Sequence, residues 1–383
     1  MHLKHLKPGL DLSGAGPVRV AMDAAVMAHP LTGVARYAFE LGKALSLQGH
    51  AVEYWTFNRL RGPLTAKVGS DSRIRTFPHL RGAGPCVFPH LWSLISRPDI
   101  HHFPNGDLFP SPVPRTAMIH DLAPFLFDDI LPPDLRDFYR ERTRRIVRLC
   151  KVITVNSQTT MDHLLDIFPE ASDRCRLTPL GCDHVLRLPA PAGKPPQGLA
   201  PGYLLSVGTI EPRKDYATLI RAYRLLSDRP GGSDLPPLVI AGGDGYRADE
   251  VRDLARTLLP DDRVRFTGYV DGEMLSSLYA HAAAYLQASL HEGFGLPVAE
   301  AALLGLPVAA ADNSAISELF SGLYEPFETG VPESAADAME KVLHRRRRTP
   351  DDPTVIRKLD GLTWSNCAAL TASAFESVLK RSS

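Results

Sequence analysis

At 383 residues, with 44% apolar and 22% charged side chains, the chain is too long for one ordinary core and too apolar for disorder, so two domains are expected. Its 43 Lys and Arg balance 43 Asp and Glu, which excludes a whole-molecule field that would hold nucleic acid or an acidic membrane and leaves only local patches. The five cysteines, Cys86, Cys150, Cys175, Cys182 and Cys367, lack metal-ligand spacing and suit a reducing cytoplasm.

The start carries Lys4 and Lys7 but is broken by Pro8 and Gly9, so it does not read as a signal peptide, and no later stretch reaches the length of a spanning helix. Short aliphatic or β-branched runs then alternate with segments of helical period, the pattern of parallel α/β units. In the first half the runs cover residues 18–22, 52–56, 100–103, 117–120, 152–156 and 176–180. After the first of them, Thr32-Gly33-Val34-Ala35-Arg36-Tyr37 puts Gly33 immediately before a helix, where backbone donors face an anion or an acceptor.

His101 and His102 precede Phe103 at a strand end and read as structural. His120 ends its strand ahead of Asp121-Leu122-Ala123-Pro124-Phe125, at the rim where parallel sheets bind ligands. The plainer reading of His120 is a capped structural histidine. Asp128 and Asp129 suggest a metal only weakly, since no Asp-x-Asp accompanies them. Arg140, Arg142, Arg144, Arg145 and Arg148 crowd one helix, and Arg345, Arg346, Arg347 and Arg348 form a second basic run. Such runs are usually solvated faces; the functional alternative is attraction to anionic lipid headgroups.

The prolines and glycines of residues 188–201 block helix and central strand and mark a linker. The expected division is a first domain at 1–187, a linker at 188–202, a second domain at 203–362 and a closing helix at 363–383, capped by Thr363 or Ser365 and packing back towards the first domain. A doubly wound sheet on each side of one hinge would create a cleft between the carboxyl ends of two sets of strands.

In the second half the runs cover residues 203–207, 238–241, 264–266, 284–287 and 308–310. The first leads into Gly208-Thr209-Ile210-Glu211-Pro212-Arg213-Lys214-Asp215, and then into apolar residues at helical spacing, Tyr216, Leu219, Ile220, Tyr223 and Leu226. Gly208 permits close backbone approach and Asp215 can cap the helix. Arg213 and Lys214 bring a bidentate guanidinium and a mobile ammonium to the turn, a pair suited to a diphosphate. Farther on, Glu292-Gly293-Phe294-Gly295-Leu296-Pro297 forms a loop entering a helix, with Pro297 in its first position and Glu300 in its first turn. From there a carboxylate can accept from two adjacent ribose hydroxyls while Glu292 faces the next group of the ligand.

These segments resemble the retaining glycosyltransferases of family 4, specifically mannosyltransferase-like members. The two glutamates Glu292 and Glu300, separated by seven residues, match the family's Glu-x7-Glu element, and Arg213-Lys214 matches its basic pair. Thr32 to Tyr37 and Ile119-His120-Asp121 match the first-domain segments, with Ala35 in place of a second glycine. Ala288-Ser289 stands where relatives often have Pro-Ser, and the segment after Glu318 is short.

The resemblance implies the GT-B fold, an α/β architecture of two doubly wound Rossmann-like domains facing a central cleft. The first domain would be the acceptor side and the second the nucleotide-sugar side. It assigns Glu300 to the ribose, Glu292 to the donor sugar, and Arg213 with Lys214 to the diphosphate. Tyr269 and Val270 would meet the base through backbone groups, and Gly33, Gly208, Gly293, Phe294, Gly295 and Leu296 would complete the donor site, with His120 beside the transferred sugar.

The implied reaction is hexosyl transfer, with GDP-mannose the first donor and UDP-glucose or another UDP-sugar the second, to a glycan or lipid-linked saccharide in polysaccharide or glycolipid assembly. No metal or other cofactor is expected, cations taking the place of magnesium, and no nucleic acid partner. The location would be the cytoplasm, with peripheral contact at the inner face of the cell membrane as the reading of the basic runs.

A GT-B-like epimerase would share the fold. A dinucleotide oxidoreductase needs Gly-x-Gly-x-x-Gly after a strand, which Gly14, Gly16, Gly82 and Gly84 do not provide. A non-catalytic sugar-binding assembly protein would have lost charged positions that are all present here.

Overall fold

The computed structural model describes residues 16–28, 32–56, 73–77, 91–188, 196, 198–349 and 352–380. The basic start, Gly14, Pro30, Leu31, Gly82, Gly84, Cys86 and most of the 188–201 stretch lie outside the described residues. The chain folds into two compact units. The first takes in the described residues up to Leu122, Asp137–Gly181 and Gly361 onwards; the second takes in Ala123–Arg136 and Cys182–Asp360. The change of unit at Gly181 therefore falls ahead of the proline-rich stretch.

The first unit holds β1 (Arg19–Asp23), β2 (Ala51–Thr56), β3 (Arg73–Thr76), β4 (Ile100–Phe103), β5 (Arg115–Ile119), β6 (Val152–Val155) and β7 (Cys175–Leu177), in the order β3-β2-β1-β4-β5-β6-β7. Every pairing is parallel. The second unit holds β8 (Leu204–Val207), β9 (Leu238–Ala241), β10 (Val264–Gly268), β11 (Ala284–Gln287), β12 (Val308–Ala311) and β13 (Glu325–Phe327), in the order β10-β9-β8-β11-β12-β13, again all parallel.

Central strands such as β9 and β11 are buried on both faces, which is why they stand out as apolar runs. The outer strands β3 and β13 do not stand out. One alternates arginine with other residues and the other contains Pro326, a residue tolerated only where no ladder partner is needed.

In the first unit α1 (Gly33–Leu47) buries Tyr37, Ala38, Leu41 and Leu45 and packs with the closing helix Trp364–Leu379, which buries Trp364, Cys367 and Phe375. Gly33 is the first helical residue and not the one before it; Thr32 is the cap, its Oγ1 accepting from the Ala35 amide at 3.4 Å. A hydroxyl can satisfy an orphan helix donor and a glycine cannot.

The arginine-rich helix α2 (Pro133–Leu149) is partly tied down. Arg142 pairs with Asp107 at 3.4 Å and lies over the Tyr139 ring, and Arg145 donates to the Leu108 carbonyl at 3.2 Å. In the second unit α3 (Tyr216–Ser227) buries Tyr216, Leu219, Ile220, Tyr223 and Leu226, the face its spacing marks out. No described helix is long and apolar enough to cross a membrane.

Candidate functional site

In each sheet the strand order reverses direction once, between β1 and β4 and between β8 and β11. Ligands of open parallel sheets bind outside the carboxyl ends of the strands at such a point. In the second unit the loops leaving β8 and β11 carry the predicted charges.

After β8 the chain passes Gly208, at φ 154°, into a short helical turn Pro212–Lys214. Asp215, in the left-handed region at φ 46°, then caps α3 through the Thr218 amide. A Cβ on Gly208 would stand 3.2 Å from Cε of Lys214, so the glycine leaves room for that side chain. The β11 loop is joined to this turn by the Leu290 amide donating to the Arg213 carbonyl at 2.8 Å.

Glu292 is the centre of the resulting cluster. Lys214 Nζ donates to its Oε1 at 2.5 Å, and Arg213 Nη1 donates to its Oε2 at 3.1 Å. Arg213 also reaches Glu211 at 2.8 Å and the His291 carbonyl at 3.2 Å. Gln287 Nε2 and Ser289 Oγ add hydrogen bonds to Oε1 at 2.9 and 2.7 Å.

The pair is deeply set, with Lys214 9% and Glu292 7% exposed. Burial by itself would raise the carboxyl pKa. The charges of Lys214 and Arg213, with the hydrogen bonds from Lys214 and Ser289, outweigh it and hold Glu292 down to about 2. The next loop buttresses the arrangement: Ser314, at φ 46°, accepts the Glu292 amide at 3.0 Å, and Asn313 Nδ2 donates to the Ser289 carbonyl at 2.8 Å.

Glu300 stands elsewhere than expected along its helix. The helix α4 comes before it in the chain, at Gly272–His281, and α5 runs Leu296–Leu303. Gly295, at φ 93°, turns the chain so that α5 starts one residue early. Pro297 is therefore its second residue, and Glu300 lies in the second turn, with no acid in the first.

The Glu300 carboxylate is held by two side chains from other segments. His184 Nε2 donates to Oε1 at 2.9 Å and the Tyr279 hydroxyl to Oε2 at 2.8 Å. A carboxylate without a proton only accepts, so Nε2 is the protonated nitrogen of His184 by assignment from the hydrogen bond. Tyr279 sits in the last turn of α4, and the carbonyls of Tyr279, Ala280 and Ala282, the last just past the helix, all accept from Arg347 Nη2. One member of the second basic run is thus an internal helix cap, while Arg345 pairs with Glu325.

The other predicted donor residues have varied settings. Phe294 is 3% exposed and packs edge-on against Phe320, so its ring belongs to the core. Gly293, Gly295 and Leu296 are buried beside it. Tyr269 and Val270 follow β10, two strands from β8, with Tyr269 exposed.

In the first unit His120 is the first residue beyond β5 and not its last. Its Nε2 donates to the Pro104 carbonyl at 2.9 Å, its carbonyl accepts from Asn156, and the Tyr37 ring meets it edge-on. Burial pulls the imidazole down to about 4, against the Pro104 carbonyl and Asp121, which favour the charged form. It is therefore neutral near pH 7, with the lone pair on Nδ1. His102 is structural, held between the Tyr37 hydroxyl at 3.0 Å and Thr116 at 2.9 Å, and His101 stacks on Phe103. Among the described residues no three His, Cys, Asp or Glu side chains group as metal ligands, and Asp128 pairs with Arg136.

Residues 31–186 match the family described as Glycosyltransferase Family 4, and residues 194–354 match Glycosyl transferases group 1. The O-antigen chain mannosyltransferase B of Escherichia coli is 28% identical over 378 residues, covering 91% of this chain and 97% of that protein. The serotype-specific mannosyltransferase WbdA of Escherichia coli is 25% identical over 293 residues, 71% of this chain, which spans only 34% of that longer protein. The crystal structure of a glycosyltransferase from Rickettsia africae ESF-5 superposes with a TM-score of 0.67 at 15% identity, over 96% of this chain and 100% of the other.

Proposed function

Because the chain belongs to glycosyltransferase family 4, with the GT-B pair of Rossmann-like domains, we propose that it moves mannose from GDP-mannose to a hydroxyl of a glycan or lipid-linked saccharide, with retention of anomeric configuration. The observation that carries the reading is the buried cluster in which Arg213 and Lys214 converge on Glu292 at the strand-order reversal of the second unit. Similarity to the E. coli O-antigen chain mannosyltransferase B over nearly its full length supports the choice of mannose and of bacterial polysaccharide assembly.

In this reading the two cations meet the diphosphate. As the bond from the anomeric carbon to the phosphate oxygen breaks, its electron pair leaves with the nucleoside diphosphate, and negative charge grows where the guanidinium and ammonium stand. An interaction that strengthens along the reaction lowers the barrier. Glu300 holds the ribose hydroxyls and Glu292 a hydroxyl of the donor sugar. The acceptor oxygen forms its bond to the anomeric carbon on the face the diphosphate leaves, and its proton passes to the departing phosphate oxygen.

The charge that magnesium supplies in other transferases is assigned here to Arg213 and Lys214, so no cofactor is required. A cytoplasmic protein resting on the inner membrane through Arg144 and Arg148 of α2, both exposed, completes the proposal.

The test is transfer from GDP-mannose and from UDP-glucose to a mannosylated oligosaccharide, with and without EDTA, the product anomer read by NMR. Mannosyl transfer that survives EDTA and gives an α-linked product is expected. Turnover with UDP-glucose alone, or an inverted product, overturns the donor or the stereochemistry respectively. Flotation with anionic vesicles tests the membrane contact, and failure to float removes it.

A further inference from the structure

Glu300 is 7% exposed, and in the second turn of α5 it lies beyond the amides that a helix terminus leaves unsatisfied. The end torsion of a glutamate is broad and nearly free, so a carboxylate that must face a fixed pair of hydroxyls needs its plane set by something else. Two side chains from separate segments do this. His184, 3% exposed, comes from the turn Asp183–Arg187 and takes Oε1; Tyr279, from the last turn of α4, takes Oε2.

With His184 on one oxygen and Tyr279 on the other, rotation about the carboxylate's own axis breaks both hydrogen bonds at once. Tyr279 is steadied in turn, because Arg347 ties down its carbonyl and those of Ala280 and Ala282. Neither His184 nor Tyr279 belongs to the Glu-x7-Glu element, and His184 is 116 residues away from Glu300 in the chain.

We infer that His184 and Tyr279 are positioning residues that orient the Glu300 carboxylate towards a vicinal diol, and that the second unit distinguishes ribonucleotide donors from deoxynucleotides through this three-residue assembly. The inference rests on the reading of Glu300 as the ribose anchor. The two side chains act through Glu300, so their loss should erase discrimination between sugar hydroxyls without touching the diphosphate cations Arg213 and Lys214.

The experiment compares GDP with 2′,3′-dideoxy-GDP, and UDP with its dideoxy analogue, by titration calorimetry on the full chain, using the pair that binds more tightly. The wild-type protein should prefer the ribonucleotide by about tenfold or more, the worth of hydrogen bonds to a charged acceptor. Tyr279→Phe, which removes one hydroxyl, and His184→Leu should each weaken ribonucleotide binding about threefold to tenfold and leave the dideoxy analogue unchanged. His184→Gln, which can still present an N–H, should recover part of the loss. In turnover the same variants should raise donor KM with little change in kcat.

Equal weakening of both nucleotides marks a merely structural role and overturns the inference, as does unchanged ribonucleotide affinity. Tyr279→Phe keeps the ring and serves where His184→Leu fails to fold. Absence of any preference in the wild-type protein is a different failure, that of Glu300 as ribose anchor. A wild-type preference that the variants retain leaves the anchor standing and removes only its positioning residues.

Discussion

Replacing Glu292 by Gln removes one negative charge from the centre of the cluster while keeping its shape, and the two cations it holds are the ones proposed to take the diphosphate. Glu292 and the diphosphate therefore compete. Lys214 lies 2.5 Å and Arg213 3.1 Å from the carboxylate, so a diphosphate engaging the same groups comes within about 6 Å of it. At an effective dielectric of about 20, like charges at that distance oppose each other by roughly 3 kcal/mol. Glu292→Gln should accordingly tighten GDP binding about tenfold to a hundredfold, with the larger value at low salt.

Transfer should move the other way, falling about tenfold to a hundredfold, because the charged acceptor for the donor-sugar hydroxyl becomes a neutral amide. The free variant should also be less stable, since Lys214, 9% exposed, loses its counter-charge; breaking a buried pair costs about 3–5 kcal/mol, lessened here by the partial exposure of Arg213. Saturating GDP should restore the melting temperature by more than it raises that of the wild type. Calorimetric titration at two salt concentrations, thermal melts with and without GDP, and initial rates provide the three readouts. A correctly folded Glu292→Gln protein that binds GDP no more tightly than wild type refutes the competition.

Lys214→Ala should lower transfer about a hundredfold or more, since one of two diphosphate cations is gone. The fold should persist through the remaining partners Arg213, Gln287 and Ser289, as circular dichroism would show. Asp23, 2% exposed, has its carboxyl raised to about 7 by burial, so its contribution to stability is complete below the ordinary value of 3.8 and is lost as pH rises through 7. Asp23→Asn should raise the melting temperature at pH 8 and not at pH 4; the reverse order contradicts the assignment. Burial pulls His101 and His102 down to about 3 and His120 to about 4, below their ordinary 6.5, so the first unit should lose stability as pH falls from about 6.5 towards 4. Glu292, held near 2 against an ordinary 4.5, gives its support above 4.5 and loses it only towards 2, so hydrogen exchange should open the first unit before the second on acidification. Earlier opening of the second unit would count against both.

What the sequence makes legible follows from how far apart the cooperating residues lie. The buried face of α3 repeats at helical spacing inside a dozen residues, and the central strands are apolar because both faces are covered, so both can be read from a short window. Arg213, Lys214 and Glu292 are legible for a chemical reason: two adjacent cations after one strand and an acid after another have few uses in an apolar setting.

Position inside an element is harder. Gly295 could end a loop at several points, and only its left-handed conformation sets the start of α5, which moves Glu300 into the second turn and changes what must hold it. His184 and Tyr279 carry no local signal, since a buried histidine and a buried tyrosine look alike whether they fill a core or aim a carboxylate. Arg347 shows the same limit for charge: beside Arg345, Arg346 and Arg348 it reads as part of a solvated run, yet it closes the end of α4. A guanidinium has the same donors for a phosphate, a carboxylate or three backbone carbonyls, so its partner is decided by which acceptors the fold brings within reach. The assignable part of a site is therefore the part whose chemistry has no structural substitute, and the positioning residues behind it become visible only when distant segments are seen side by side.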